Sequence, residues 1–384
     1  MLNVLVLTLI AFLAYSVTAA LLMPAPILVA PVGGALSLSA AEAARALGAV
    51  NLGILAGAIA AVWLLLKLQT RLVLLLSFVA VAAAVLAIVL LPTVGVVRGA
   101  LFIAGFACGI GLPAAANIIA STHAGERRAS MLVVTDGAFS VSGFAAIAVG
   151  GWLLAAGNAW PSVYGLAGCA SLAALALIPC TNFRDISPPP GHASPANWPV
   201  AVWWCALALT SFTLGQFSLV LWLPTYLETA HDVAAIASAK PVSAYFVALF
   251  AGQLLAAVVV LPLGLLRLLP IAVVLCAGLG LGLSFVTGLT SAQWLAVAWG
   301  VGTLGLLKLI VTLGSQLADE QQVAVISTLL LAATVGTALA PYASSLAVDW
   351  FSVRAALWFA GGALVLSVLG VFAAMAHRTR TVAC

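Results

Sequence analysis

TNFRDISPPPGHASPANWP, residues 181–199, interrupts a chain that is otherwise almost continuously apolar. Three consecutive prolines, Pro188 to Pro190, restrict the backbone and remove hydrogen-bond donors, while the Ser, Gly and Asn around them have little to bury. Such a stretch neither continues a helix nor joins a core, so it reads as a linker. Working outward, six apolar segments precede it, at roughly 3–31, 44–66, 72–92, 98–121, 130–155 and 160–181. Six more follow, at roughly 199–227, 241–262, 269–289, 292–315, 322–346 and 352–376.

At about 1.5 Å per residue, segments of this length cross the roughly 30 Å hydrocarbon layer of a bilayer as helices. Of the 384 residues, 65% are hydrophobic and 6% charged, with a mean hydropathy of +1.28. A soluble globular protein carries about 25% charged residues. Membrane barrel strands would alternate apolar and polar positions over about ten residues, and that pattern is absent. The expectation is an all-α membrane protein with twelve transmembrane helices in two pseudo-symmetric six-helix bundles. Residues 1–181 form the first bundle, 182–198 a cytoplasmic Pro-rich linker and 199–384 the second bundle. The halves also echo each other, with Trp160-Pro161-Ser162-Val163 in one and Trp350-Phe351-Ser352-Val353 in the other.

Basic residues in the loops set the orientation. Lys67, Arg71, Arg127, Arg128, Arg184, Arg267, Arg378 and Arg380 fall on one side, against Arg45, Arg98, Lys240 and Arg354 on the other. The richer side is cytoplasmic, which puts both termini inside. The first segment lacks a basic leader and outlasts a signal-peptide core, so it reads as a retained helix.

Two ionisable residues lie inside lipid-like stretches: Asp136 in MLVVTDGAFSVSGF and Lys308 in VGTLGLLKLIVTLG. A charge at the centre of a membrane helix costs about 2.5–3.5 kcal/mol on insertion scales, so such groups persist where they face a polar cavity or each other. Each sits about seven residues, or about 10 Å, from the cytoplasmic end of its span. Acid and base on different halves at one depth suggest a salt bridge closing an inner gate. Protonation of Asp136 would release Lys308 and couple proton movement to opening. A second reading makes Lys308 an anchor for an anionic substrate group.

Uncharged polar and aromatic residues within the spans are the candidates for a solute cavity: Tyr15, Asn51, Asn117, Gln216, Trp222, Tyr245 and Gln253, with Ser16, Ser211 and Thr213 beside them. The GxxxG of Gly105 and Gly109 reads as close helix packing. Pro24 and Pro26 in the first span, and Pro224 in the seventh, occupy equivalent places and should kink or break their helices. Gly300, Gly302 and Gly305 spell GxGxxG, but no strand precedes them, so nucleotide binding is set aside.

Several classes drop out. The net charge of +4 is scattered along the chain, which argues against a nucleic-acid partner. No HExxH, Walker loop or Ser-His-Asp set appears, and His123, His192, His231 and His377 all fall in loops or tails. No enzyme activity, metal or cofactor is expected. Cys108, Cys169, Cys180, Cys205, Cys276 and Cys384 show no CxxC pairing and read as small apolar residues.

At ERRASMLVVTDGAFSVSGFAAIA, LGQFSLVLWLPTYLE, IVTLGSQ and SVRAALWFAGGALV the chain resembles the TsgA family. That family is a bacterial inner-membrane branch of the major facilitator superfamily, close to the fucose–proton symporters. AFLAYSVTAALLMPAPI and AVNLGILAGAIAAVWLLLKLQTRL fit as well, so the likeness spans nearly the whole length. It implies two lobes of six helices working by alternating access, and places Asp136, by the match at TDGAFS, at the acidic position shared by TsgA-like proteins. The chain departs at GIGLPAAANIIA, where Pro113 stands in place of the glutamate of the fucose symporters' ETAANP run, with Asn117 retained.

The expected function is secondary active transport, proton-coupled and symport-like, of a small polar organic solute by a monomer in the bacterial inner (plasma) membrane. Efflux of amphipathic drugs is the competing transport reading. A membrane scaffold or sensor that kept the fold without transport is the competitor from another class.

Overall fold

The computed structural model describes residues 2–123, 125–183, 186, 198–317 and 322–382, without the side chains at 2, 62, 66, 120, 125–130, 132, 133, 136, 236, 322–324 and 379–382. The chain divides into two compact units, Met1–Gly191 and His192–Cys384. The first holds α1 (Leu2–Leu22), α2 (Ala25–Leu36), α3 (Ala40–Lys67), α4 (Thr70–Leu90), α5 (Val94–Thr122), α6 (Gly125–Ala155) and, after a 3-10 turn at Trp160–Tyr164, α7 (Gly165–Leu177). The second holds α8 (Val200–His231), α9 (Ala235–Ser238), α10 (Lys240–Leu263), α11 (Leu265–Gly282), α12 (Leu289–Gly302), α13 (Leu306–Gln316), α14 (Gln322–Trp350) and α15 (Val353–Val382). Among the described residues, 12 helical segments are long and apolar enough to cross a membrane; α12 and α13 together make the tenth. The expected all-α fold with twelve spans is what the structure has. Most of the linker expected at 182–198 lies outside the described residues.

The same packing order recurs in both units. The first span, α1, packs on the fourth, fifth and sixth spans, α5, α6 and α7. The second, α3, packs on the fourth; the third, α4, packs on the fourth and sixth. In the second unit the seventh span, α8, packs on α13, α14 and α15, which are the lower half of the tenth span and all of the eleventh and twelfth. The eighth, α10, packs on α12, and the ninth, α11, on α12 and α15. Adding six to each span number of the first unit reproduces the second, as expected of a duplicated bundle.

Small residues set the closest approaches. A Cβ added at Gly105 would lie 2.1 Å from the Val50 carbonyl oxygen, and one at Gly109 2.3 Å from that of Ile54. The partner helix answers with its own pair: Gly53 and Gly57 would bring a Cβ to 2.1 and 2.2 Å from the carbonyl oxygens of Phe102 and Phe106. Four glycines thus let the α3 and α5 backbones touch where no side chain fits. The equivalent helices of the second unit repeat the device. There a Cβ added at Gly252 on α10 would lie 2.5 Å from the Val301 carbonyl oxygen, and one at Gly300 on α12 would lie 2.6 Å from that of Tyr245.

Helix ends follow local chemistry. Ser39 and Glu42 form a capping box at the start of α3, with bonds of 2.9 and 3.2 Å satisfying two backbone donors. At the other end of the unit, the Asn3 amide donates to the Asn182 carbonyl at 3.0 Å while its own oxygen accepts from the Asn182 N–H at 2.9 Å. This clamp ties the beginning of the first span to the chain leaving the sixth.

Among the described residues, two breaks stand out. The first span breaks between α1 and α2 at Met23–Pro24, where Pro24 and Pro26 lack the N–H groups that would continue the ladder. The tenth breaks between α12 and α13, where Leu304 and Gly305 take left-handed φ values of 46° and 62°. The seventh differs from expectation: α8 runs unbroken through Pro224. Almost every residue from Ser211 to Leu227 is buried, so packing along the whole helix outweighs the roughly 3 kcal/mol that an interior proline costs.

Candidate functional site

The break in the tenth span follows from its sequence, GVGTLGLLK. The Thr303 N–H still bonds the Trp299 carbonyl at 2.9 Å, as in a regular helix, but the Leu304 N–H reaches Val301 at 3.1 Å, one residue short of the helical spacing. Gly305 tolerates a left-handed backbone without penalty, and α13 starts again from it. The break lies inside a segment of membrane-crossing length, Leu289–Gln316. Irregular backbone at such depth is tolerated where it is packed in protein or lines a wet cavity.

Below the break, α13 has two chemically opposite faces. Leu306, Leu309, Ile310, Leu313 and Gly314 are buried, and the helix packs against α8, α11 and α14. Lys308, Thr312 and Gln316 are exposed and Ser315 is half-buried. At 3.6 residues per turn these four fall on one stripe, turned away from the packing partners. A cation and three polar groups on an accessible face of a membrane-length segment fit contact with water better than contact with hydrocarbon.

Above the break lies a buried polar and aromatic cluster. The Tyr245 ring stacks on Trp299 with centroids 4.3 Å apart and planes 24° from parallel. The Gln216 amide donates to the Tyr245 hydroxyl at 2.5 Å, joining α8 to α10. The Thr303 hydroxyl donates to the Trp299 carbonyl at 2.8 Å and lies 3.8 Å from the Cys276 thiol. Four helices of the unit, α8, α10, α11 and α12, therefore meet at the top of the break. Gln253, two turns along α10 from Tyr245, is half-buried with its Cγ 3.8 Å from where a Cβ on Gly305 would sit.

The structure thus brings together Gln216, Tyr245 and Gln253 of the expected candidates. Trp299, Thr303 and Cys276 complete the cluster, and sequence reasoning missed them. Trp222 is fully buried, and its indole N–H donates to the Ser344 hydroxyl at 2.8 Å, bracing α8 against α14. Thr213 makes a similar tie to the Ala333 carbonyl at 2.7 Å, and Ser211 is buried nearby on α8.

In the first unit the candidates are spread over three helices. Tyr15 and Ser16 are half-buried on α1, where Ser16 accepts a 2.8 Å bond from Ser142 of α6. Asn117 is half-buried on α5. Asn51 is buried on α3, and its side-chain oxygen has no hydrogen-bond partner. A crevice lined mainly by apolar residues such as Ala14, Val17, Leu74, Phe78 and Ala107, with Ser77 and Cys108 among them, offers little to a polar solute. Asp136 belongs to α6, but its side chain lies outside the described residues. Among the described residues no cluster of His, Cys, Asp and Glu with metal-binding geometry is present.

Comparison with known proteins agrees with this architecture. The chain is similar to the protein TsgA of Salmonella arizonae, 26% identical over 382 residues, covering 96% of this chain and 94% of that one. It is 24% identical over 381 residues to the TsgA homolog of Edwardsiella ictaluri, covering 97% and 96%. The likeness read from TDGAFSVSG and LGQFSLVLWLPTYLE therefore holds along nearly the whole chain.

Among solved structures, a mutant of the nucleoside transporter NupG superposes with a TM-score of 0.75 at 12% identity, covering 98% of this chain and 99% of that one. A bacterial homolog of the human lysosomal transporter Spinster, inward-facing and unoccupied, gives 0.69 at 14%, covering 98% and 95%. At these identities the likeness shows the fold alone. A family model for the Major Facilitator Superfamily matches residues 4–328, so this twelve-span, multi-pass membrane protein belongs to that superfamily of transporters, which are not enzymes.

Proposed function

We propose that the protein is a proton-coupled secondary transporter that carries a small polar organic solute across the bacterial inner membrane by alternating access, as a monomer in symport. The observation that carries this reading is the tenth span. A break at Leu304–Gly305 is followed by a half-helix whose accessible face bears Lys308, Thr312 and Gln316 within a membrane-length segment. Interrupted helices of this kind place polar groups and free backbone where a solute can meet them.

In this reading Asp136 is the proton-carrying acid and Lys308 the cation that responds to its charge. Gln216, Tyr245 and Gln253 in one unit, and Tyr15, Asn51 and Asn117 in the other, are the candidates for solute contact, while Trp222 stands further back as a brace. The working halves are a six-helix bundle at 1–181 and another at 199–384, joined by a cytoplasmic linker, with both termini inside.

Purified protein in liposomes, screened with solutes while internal pH is followed, tests the reading. Addition of a transported solute outside should acidify the lumen in wild type, whereas alkalinisation would mean antiport. Asp136→Asn should keep solute exchange but lose accumulation driven by a pH gradient, and Lys308→Ala should impair both. Unchanged proton-driven uptake in both variants removes the assigned roles. Solute-independent behaviour across the whole panel, with intact folded protein, favours a scaffold or sensor instead.

A further inference from the structure

Where α8 starts and α15 finishes, two hydrogen-bond donors are enclosed without a partner. They are Nε1 of Trp204, in the second turn of α8, and Nη1 of Arg378, near the end of α15. An enclosed donor left without an acceptor is costly, and more so when it belongs to a charged group. The two helices pack together and, as the seventh and twelfth spans, run in opposite directions. A Cβ added at Gly370 of α15 would lie 2.9 Å from the Ala208 Cβ of α8, which sets their relative level. From that contact Trp204 is about 6 Å towards the start of α8, and Arg378 about 12 Å towards the end of α15. Side chains lean towards the N-terminus of their own helix, so in this antiparallel pair the indole and the guanidinium lean towards each other.

The same corner holds further groups suited to an anion. No side chain caps the start of α8, so its first backbone N–H groups and the positive end of its dipole lie there. Arg267 is exposed near the start of α11, which packs on α15 and runs parallel to α8 as the ninth span. Among the described residues no acceptor reaches Nη1 of Arg378. A phosphate carries enough oxygens to take bonds from guanidinium, indole and backbone at once. The surface beside the corner indicates what bears that phosphate. Val200, Trp203 and Leu207 are 59%, 49% and 37% exposed and follow one another at helical spacing from the start of α8 into its span. Acyl chains cover such a stripe, whereas a soluble phosphate leaves it bare. We propose that Trp204 and Arg378, with Arg267 beside them, bind the phosphate of an anionic phospholipid whose chains lie along this stripe. The bound lipid would tie the first span of the unit to its last.

The test is thermal stabilisation of the detergent-purified full chain, which scales with the ratio of ligand concentration to Kd. The probes are phosphatidylglycerol, phosphatidylcholine with the same acyl chains, and glycerol 3-phosphate. Phosphatidylglycerol should stabilise the wild type at concentrations where the other two do not, because the choline cation is repelled and the soluble phosphate lacks chains. Arg378→Gln should raise the phosphatidylglycerol concentration required by about ten- to a hundredfold, the worth of a charge-assisted hydrogen bond. Trp204→Phe, which keeps a ring and removes the N–H, should raise it by about tenfold. Lys67→Gln removes an exposed cation from a span end of the first unit and should leave the requirement unchanged.

Equal stabilisation by phosphatidylcholine overturns the proposal, and that comparison decides even where Arg378→Gln fails to fold. Glycerol 3-phosphate acting as well as phosphatidylglycerol would make this a site for a soluble anion and overturn the lipid assignment. An unchanged requirement in Trp204→Phe, or a loss in Lys67→Gln equal to that in Arg378→Gln, would reduce the effect to diffuse surface charge and overturn it too.

Discussion

At the scale of single residues, the buried polar groups divide into braces and unspent contacts. Trp222 is a brace: its indole N–H reaches Ser344, whose own hydroxyl bonds the Ala340 carbonyl. Ser344→Ala strands a buried donor and should cost about 1–3 kcal/mol. Trp222→Phe removes donor and ring edge together, and the double variant should cost less than the two single costs added. Melting temperatures of the purified variants check this, and strict additivity would mean that the bond is not the coupling. The sequence marked Trp222 as an intramembrane polar aromatic, yet could not separate a brace from a wall residue. That distinction depends on where Ser344 sits, 122 residues away. The same limit applied at Tyr245, whose hydroxyl was legible as a polar group in oil while its stacking on Trp299 was not.

At the scale of elements, two kinds of glycine do different work. Gly57 and Gly105 are contact points, because any Cβ there would lie 2.2 or 2.1 Å from a backbone carbonyl oxygen of the facing helix. Gly105→Val should force α3 and α5 apart and destabilise the first unit by about 1–3 kcal/mol, read as a lowered melting temperature. Gly305 is a conformational point instead, at φ 62°, where a Cβ would meet Gln253 and Ala256 only at ordinary contact distances of 3.8–3.9 Å. Gly305→Val should be strained by about 1–2 kcal/mol and should slow transport more than its stability loss explains, since it opposes the break. Leu304 takes φ 46° without the freedom of glycine. Leu304→Gly should therefore lower stability less than the same truncation at Leu306, which is also buried but has ordinary helical backbone, because relief of about 1–3 kcal/mol of strain offsets part of the lost packing. Equal losses in melting temperature would show that Leu304 is not strained.

These elements were partly legible beforehand. Gly105 and Gly109 announced a close contact, but the answering pair, Gly53 and Gly57, was recognised only from the paired backbones. The run Gly300, Gly302, Gly305 was noticed for its nucleotide-like spelling and set aside. Its actual signal, a glycine able to restart a helix before a polar i, i+4, i+7 stripe, was present in the residues from Gly305 to Ser315. The proline expectation held at Pro24, where α1 stops, whereas α8 runs on through Pro224, where the helix is packed over most of its length.

At the scale of the whole molecule, the prediction concerns sidedness. An even number of spans puts both termini on one side, and the distribution of basic loop residues makes the cytoplasm the side we propose. A fluorescent protein fused after Cys384 should fold and glow in cells, whereas alkaline phosphatase fused there should be inactive. The reverse result would invert the bundle and with it the cytoplasmic assignment of the linker.

The number of spans and their helical nature were written in the apolar pattern of the sequence alone, because a bilayer imposes length and apolarity on every segment independently of its neighbours. Which polar residues meet, where a span is interrupted, and which side of α13 is left unpacked were settled only by folding. Those facts depend on contacts between residues far apart in the chain, and one-dimensional spacing does not record distances of that kind.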